Sequence, residues 1–199
     1  MNLPNKIIAC DFETTGLNPG YDHPTSISCV VMENDVILDQ FSRCIMPGDK
    51  CKLSLEALAV QGVSMKNARE AIQNELERIF PDDAITAKDC LIQLREWTKT
   101  NGYDKLPVVA QNAPFDWGFF SEKLLINRSA HNHDVFGPVW ICTIALSGHA
   151  LPDAKKRNLD ALLDATGYPA RSGKHDSLSD AMWCGKVYFG LKTILEKNN

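Results

Sequence analysis

The stretch Lys6-Ile7-Ile8-Ala9-Cys10-Asp11-Phe12-Glu13-Thr14-Thr15-Gly16-Leu17 decides the reading of this chain. Lys6 to Phe12 is a short apolar run that ends in an acidic turn, and it reads as a strand. Asp11 and Glu13 stand two apart at its end. Strand side chains alternate in direction, so the two carboxylates share one face and Phe12 takes the other, toward the core. Thr14-Thr15-Gly16 then turns the chain away. Alone, an acidic pair at a strand end is the usual solvated terminus. The rest of the chain gives this one a different meaning.

Working outward, Thr25 to Met32 and Val36 to Ile45 are further apolar runs. Glu33-Asn34-Asp35 between them has turn chemistry and predicts a hairpin, which Pro47-Gly48-Asp49 closes. Helical spacing follows over Ala68 to Phe80, with Pro81 as its stop. Thr86-Ala87-Lys88-Asp89 resembles a capping box and opens a helix carrying Leu91, Leu94 and Trp97, ended by Gly102. Leu106 to Ala110 is a buried strand. Pro114 suits the first turn of a helix running to about Arg128. Val139 to Cys142 is a fifth strand, Asn158 caps a short helix that Gly167 ends, and a last helix runs from Ser177 or Leu178 to about Lys197. Residues 129–138 and 147–157 read as mobile loops. This order of elements predicts an α/β fold with a mixed sheet, in a single domain over residues 1–199.

Composition bounds the function. The chain has 199 residues, 44% apolar and 23% charged. That suits one globular domain and excludes disorder, coiled coil and collagen. With 21 Lys+Arg against 25 Asp+Glu the net charge is −4, so bulk electrostatic gripping of long duplex DNA is excluded and any nucleic-acid contact is local. The seven cysteines include no Cys-x-x-Cys pair, which argues against structural zinc and for free thiols in a reducing cytoplasm. There is no apolar signal core and no run near the roughly 20 residues of a membrane span.

Three more residues change the standing of Asp11 and Glu13. Asp116 follows Asn112-Ala113-Pro114-Phe115 at a helix start, where alone it would be a first-turn charge favoured by the helix dipole. Asp180 lies in the last helix, five residues after His175, and alone would be a surface charge. Together they place four carboxylates and one histidine at strand ends and helix starts of one α/β domain, positions that converge at one sheet edge. Carboxylate oxygens are the hard ligands magnesium and manganese prefer. Two such ions about 4 Å apart can grip the attacking and leaving oxygens of a phosphoryl transfer. A histidine beside them can deprotonate the attacking water. The set is chemically complete for phosphodiester hydrolysis. Elsewhere, His131-Asn132-His133-Asp134 reads as a polar loop, and Trp117, Trp140 and Trp183 read as core. Lys155-Lys156-Arg157, and better Arg171 and Lys174, are candidates for substrate phosphate.

These motifs resemble the DEDDh, or DnaQ-like, 3′–5′ exonucleases, the family of the proofreading epsilon subunit of bacterial DNA polymerase III. Asp11 to Leu17 is similar to the first motif of that family. Gln111-Asn112-Ala113-Pro114-Phe115-Asp116 is similar to the second, and His175-Asp176-Ser177-Leu178-Ser179-Asp180-Ala181 to the third. Ala57-Leu58-Ala59-Val60-Gln61-Gly62-Val63-Ser64 is similar to a segment bordering the terminal nucleotide. Asn158-Leu159-Asp160-Ala161-Leu162 is similar to the helix start before motif three. The matches span about residues 6–190 in order.

The resemblance implies a ribonuclease-H-like fold with a central mixed five-stranded sheet flanked by helices. It implies two Mg²⁺ or Mn²⁺ ions, one held by Asp11, Glu13 and Asp180 and the other by Asp11 and Asp116, with His175 as general base. It further implies that Thr14, Thr15, Gly16, Leu17, Gln61, Asn112, Phe115 and Lys174 contact the 3′-terminal nucleotide of single-stranded DNA or RNA, Leu17 pressing on its base. Glutamine stands at positions 61 and 111 where the family commonly has histidine, and Cys142-Thr143 where Asp-Thr is common, which bears on substrate preference. The expected activity is release of nucleoside 5′-monophosphates from single-stranded or frayed DNA ends. An exoribonuclease and an inactive binding module are the alternatives. The chain ends nineteen residues after Asp180, so a standalone enzyme without the polymerase-tethering tail is expected.

Overall fold

The computed structural model describes residues 2–46, 54–60, 66, 81–125, 134–171 and 175–198. The expected helix over Ala68–Phe80 lies outside them, as do Gln61, Lys174, His131 and His133. Strands β1 (Lys6–Thr14), β2 (Pro24–Glu33) and β3 (Val36–Cys44) come first in the chain. Helices α1 (Leu55–Val60) and α2 (Ala87–Thr100) precede β4 (Val108–Ala110), and α3 (Ala113–Phe119) runs into a π-helical turn at Phe120–Leu124. Strand β5 (Trp140–Cys142), α4 (Thr143–Ala150), α5 (Leu159–Ala165) and α6 (Ser177–Lys197) complete the order.

The sheet runs β3-β2-β1-β4-β5, with β1, β2 and β3 antiparallel and β4 and β5 parallel to β1. This is the expected mixed five-stranded sheet flanked by helices. The β2–β3 hairpin turns through Asn34 (φ 48°) and Asp35 (φ 71°), residue types whose short polar side chains tolerate the left-handed conformation. Thr86 caps α2 as expected, its hydroxyl oxygen accepting from the Asp89 N–H at 3.1 Å.

Alternation along β1 builds two cores. Ile8, Cys10 and Phe12 face a layer containing Leu94 of α2, Phe119, Phe120 and Phe136. Ile7 and Ala9 face α6 through Ala181, Cys184, Val187 and Tyr188, with α5 alongside. Both faces of β1 are therefore buried, whereas the sequence reading assigned the core to the Phe12 face alone. Asp11 and Glu13 extend the row of Ile7 and Ala9, under α6. Gly185 allows this close approach. A Cβ there would lie 3.2 Å from Ala9 Cβ and would collide with Met32 Sδ.

Three loop expectations change. Residues 147–150 of the expected 147–157 loop belong to α4, in which Leu146, Ser147 and Ala150 are buried. Within 129–138, Val135 and Phe136 are buried beneath the aromatic layer, so this part is packed core rather than a mobile loop. The helix after Pro114 passes into a π turn and breaks at Leu125 instead of continuing to Arg128. Among the described residues, no helix is long and apolar enough to cross a membrane.

Candidate active site

β4 stops at Ala110 while β1 runs on to Thr14, and the candidate residues gather where β1 passes the end of its neighbour. The Ile8 N–H donates to Pro107 O at 3.0 Å, so the amides of Cys10 and Phe12 point the same way, toward the β4 side. β4 stops at Ala110, which leaves the Phe12 amide without a strand partner. Asp116 takes it up, Oδ1 accepting the Phe12 N–H at 3.2 Å. Asp116 is 3% exposed. Pro114 starts α3 at the place that turns Asp116 back over β1.

Asp180 comes from the first turn of α6, which Asp176 caps by accepting the Ser179 N–H at 2.9 Å. Ser177 fixes this end to the sheet, its hydroxyl lying 2.9 Å from that of Ser26 and 2.8 Å from that of Ser28 on β2. Asp11, Glu13 and Asp180 each offer one carboxylate oxygen, and the three oxygens lie within 4.8 Å of one another. His175 Nδ1 is 2.9 Å from Asp180 Oδ2, and its side chain is 47% exposed. Four of the five expected catalytic residues thus meet directly, and Asp116 adjoins them through the β1 backbone.

The electrostatics match that crowding. Burial pushes the Asp11 carboxyl well above the usual range, and Asp116, Asp180 and Glu13 push it further. Glu13 is pushed up to about 7, first by burial and then by Asp180. Burial likewise raises Asp116, against the lowering effect of the Phe12 amide. Clustered carboxylates favour protonation unless a cation neutralises them. Three converging hard oxygen donors, with Asp11 and Glu13 crowded by like charge, fit a divalent ion of the Mg²⁺ or Mn²⁺ kind.

The loop after β1 is tightly built. The Thr14 hydroxyl donates to Gly16 O at 2.6 Å. Thr15 Oγ1 accepts the His23 N–H at 3.0 Å, and Thr15 O accepts the Ser54 N–H at 2.8 Å. Gly16 packs against the Asp22 carboxylate. Leu17, in contrast, is 82% exposed. Asn112 is exposed at the head of α3, and Phe115 lies half-buried against Phe119 at 5.0 Å between ring centroids. Gln111 is used internally, donating to Arg157 O at 2.8 Å and accepting from Thr143 Oγ1 at 2.5 Å.

Arg171, expected to reach substrate phosphate, is turned inward. It donates from Nε and Nη2 to Asp160 and from Nη1 to Asp180. Asp160 was not singled out among the site residues. The only sequence signal for it was its place behind the Asn158 cap. Trp117 and Trp140 pack edge to face at 5.2 Å within the aromatic core, as expected. Of the His131–Asp134 loop, the described Asp134 pairs with Arg95 at 2.5 Å.

A family model described as Exonuclease matches residues 8–93. A PolC-type DNA polymerase III from Pediococcus pentosaceus is 28% identical over 193 residues, 96% of this chain. Its counterpart from Thermotoga maritima is 26% identical over 197 residues. The chain spans 12% of the length of each of these polymerases. Among solved structures, the nuclease domain of 3′hExo, a DEDDh family member bound to rAMP, superposes with a TM-score of 0.71 at 17% identity, covering 96% of this chain and 92% of that one. E. coli Exonuclease I in complex with a dA16 oligonucleotide gives 0.65 at 15% identity, covering 98% and 42%. At these identities the structures establish the fold, which is ribonuclease-H-like. The exonuclease match begins on β1 and the polymerase relatives extend the likeness over nearly the whole chain, so the chain is similar to exonucleases of the DEDDh, DnaQ-like kind.

Proposed function

We propose that this protein hydrolyses the last phosphodiester bond at single-stranded or frayed DNA 3′ ends and releases nucleoside 5′-monophosphates. The observation that carries the reading is the convergence of Asp11, Glu13 and Asp180 oxygens within 4.8 Å, with His175 on Asp180. The DNA polymerase relatives favour DNA over RNA as substrate. In this reading Asp11, Glu13 and Asp180 hold one Mg²⁺ or Mn²⁺ ion, and Asp11 with Asp116 holds a second. Bound there, the ions supply Lewis acidity to the attacking water and to the departing 3′ oxygen.

His175 takes the proton of that water. Its Nδ1 has two neighbours, Asp180 Oδ2 at 2.9 Å and Arg171 Nη1 at 3.3 Å. The shorter contact is to an acceptor, so the proton sits on Nδ1 and Nε2 keeps the lone pair that acts as base. Water oxygen bonds to phosphorus, the P–O3′ bond breaks, and the new chain end takes a proton from solvent. Exposed Leu17 presses on the terminal base, with Asn112 and Phe115 beside it and the Thr14-Thr15-Gly16 loop as its rigid base. Gln61 and Lys174 complete the substrate contacts in this reading.

Matched 5′-labelled DNA and RNA oligonucleotides in Mg²⁺ or Mn²⁺ test the proposal. The expected result is a ladder of DNA shortened from the 3′ end, nucleoside 5′-monophosphates as product, and slower loss of RNA. RNA degraded faster than DNA would reverse the substrate assignment. Oligonucleotide products cut from the interior would overturn the reaction itself.

A further inference from the structure

We propose that Arg171, locked in place by Asp160, is a positioning residue for the cation site, acting through Asp180 and His175 and not through the substrate. The inference rests on the carboxylate site proposed above.

Arg171 sits in the loop ahead of α6, and its side chain is 12% exposed. Asp160, on the first turn of α5, accepts from Nε at 2.7 Å on one oxygen and from Nη2 at 3.1 Å on the other. The remaining nitrogen, Nη1, donates to Asp180 Oδ1 and lies 3.3 Å from His175 Nδ1. All three guanidinium nitrogens are therefore engaged inside the chain. A planar fork held on both its terminal and inner edges has one orientation. The Asp180 carboxylate is then gripped at Oδ1, and Oδ2 is turned toward His175. Hydrogen bonds from Arg171 hold the Asp160 carboxyl below its ordinary range, so both partners of the clamp are charged at neutral pH.

This arrangement suits orientation better than charge balance. Asp160 cancels the charge of Arg171, so the pair adds little net field at the carboxylates. What it adds is direction, as hydrogen-bond partners of metal-ligating carboxylates do. Loss of such partners typically costs 10–100-fold in metal affinity or activity. It also explains why Arg171 is not free for phosphate.

The test is Mn²⁺ affinity, read from the electron paramagnetic resonance signal of free Mn²⁺ in the full chain without substrate. Arg171→Lys keeps the charge and loses the fork. The double variant Arg171→Gln/Asp160→Asn keeps the net charge and removes the clamp. Both should bind Mn²⁺ about tenfold more weakly than wild type. In folded variants, checked by Tm, kcat should fall while KM for an oligonucleotide holds. Wild-type Mn²⁺ affinity in either variant overturns the inference. So does a raised KM with a shallower salt dependence, which would make Arg171 a phosphate contact. The positioning claim can fail while the parent reading stands. That reading fails on its own if wild type binds no Mn²⁺ or if Asp11→Asn binds it as tightly as wild type.

Discussion

Asp11 is the residue on which the proposed chemistry and the cost of the site both fall. Its carboxyl is raised by burial and by Asp116, Asp180 and Glu13 together. Replacing it with the isosteric, uncharged Asn should lower hydrolysis by roughly 10²-fold or more, since a ligand to the proposed ions is lost. In EDTA the same variant should be more stable than wild type by about 2–4 °C in Tm, because one buried like charge is gone. A lower Tm in EDTA would show that the cluster is not repulsive. Glu13 sets the pH window. Its carboxyl titrates at about 7, raised from an ordinary value of 4.5. In the metal-free protein its contribution to stability is fully present below the ordinary value and is lost as pH rises through about 7. Divalent cations need the ionised carboxylates. Saturating Mg²⁺ should therefore raise Tm little at pH 5 and substantially at pH 8, by scanning fluorimetry. An equal gain at both pH values would contradict this. Replacing His175 with Asn should cost roughly 10²–10⁴-fold in kcat, the usual range for a missing general base.

At the scale of elements, α6 is what brings Asp180 over β1. Gly185 sets its distance from the sheet, with Ala9 and Met32 directly beneath. Gly185→Val should cost roughly 1–3 kcal/mol by overpacking and should lower hydrolysis by tilting the helix. Urea unfolding and a steady-state assay check this. Unchanged stability would mean that the helix rides free of the sheet. The same scale shows what could be read from residues alone. The β2–β3 hairpin was legible because Asn34 and Asp35 supply the left-handed turn between two apolar runs. The start of α6, expected at Ser177 or Leu178, falls at Ser177, where Asp176 caps it. Helix α4 was not legible. Its N-cap, Cys142, makes no side-chain bond to the amides of the first turn, and Gly148 lies within it. Burial of Leu146, Ser147 and Ala150 holds it, and local sequence does not. The π turn at Phe120–Leu124 is likewise a packing effect, with Phe120 and Leu124 both fully buried.

At the scale of the whole molecule, a sheet covered on both faces leaves the carboxyl ends of β1 and β4 as the place where charge collects. The motif carboxylates were legible because each sits at an element end. The Asp160–Arg171–Asp180 clamp was not, because it joins α5 to α6 across a loop, and sequence spacing carries no record of such a contact. It also changes the expected salt dependence. With Arg171 engaged inside the chain and Arg157 bonded to the Leu151 and Pro152 carbonyls, exposed Lys155 and Lys156 remain, among the described residues, of the side chains expected to meet phosphate. Single-strand binding should then show a log K against log salt slope of roughly −1 to −2, at about −0.7 per phosphate. A slope steeper than about −5, on the same scale, would mean an extended basic groove.

The most direct measurement places a linear and a circular single-stranded DNA of the same sequence in one reaction with Mg²⁺. The account predicts that the linear strand is consumed from its 3′ end to mononucleotides, that the circle stays intact, and that EDTA or Asp11→Asn stops the reaction. Nicking of the circle, or undiminished digestion of the linear strand in EDTA, would contradict it.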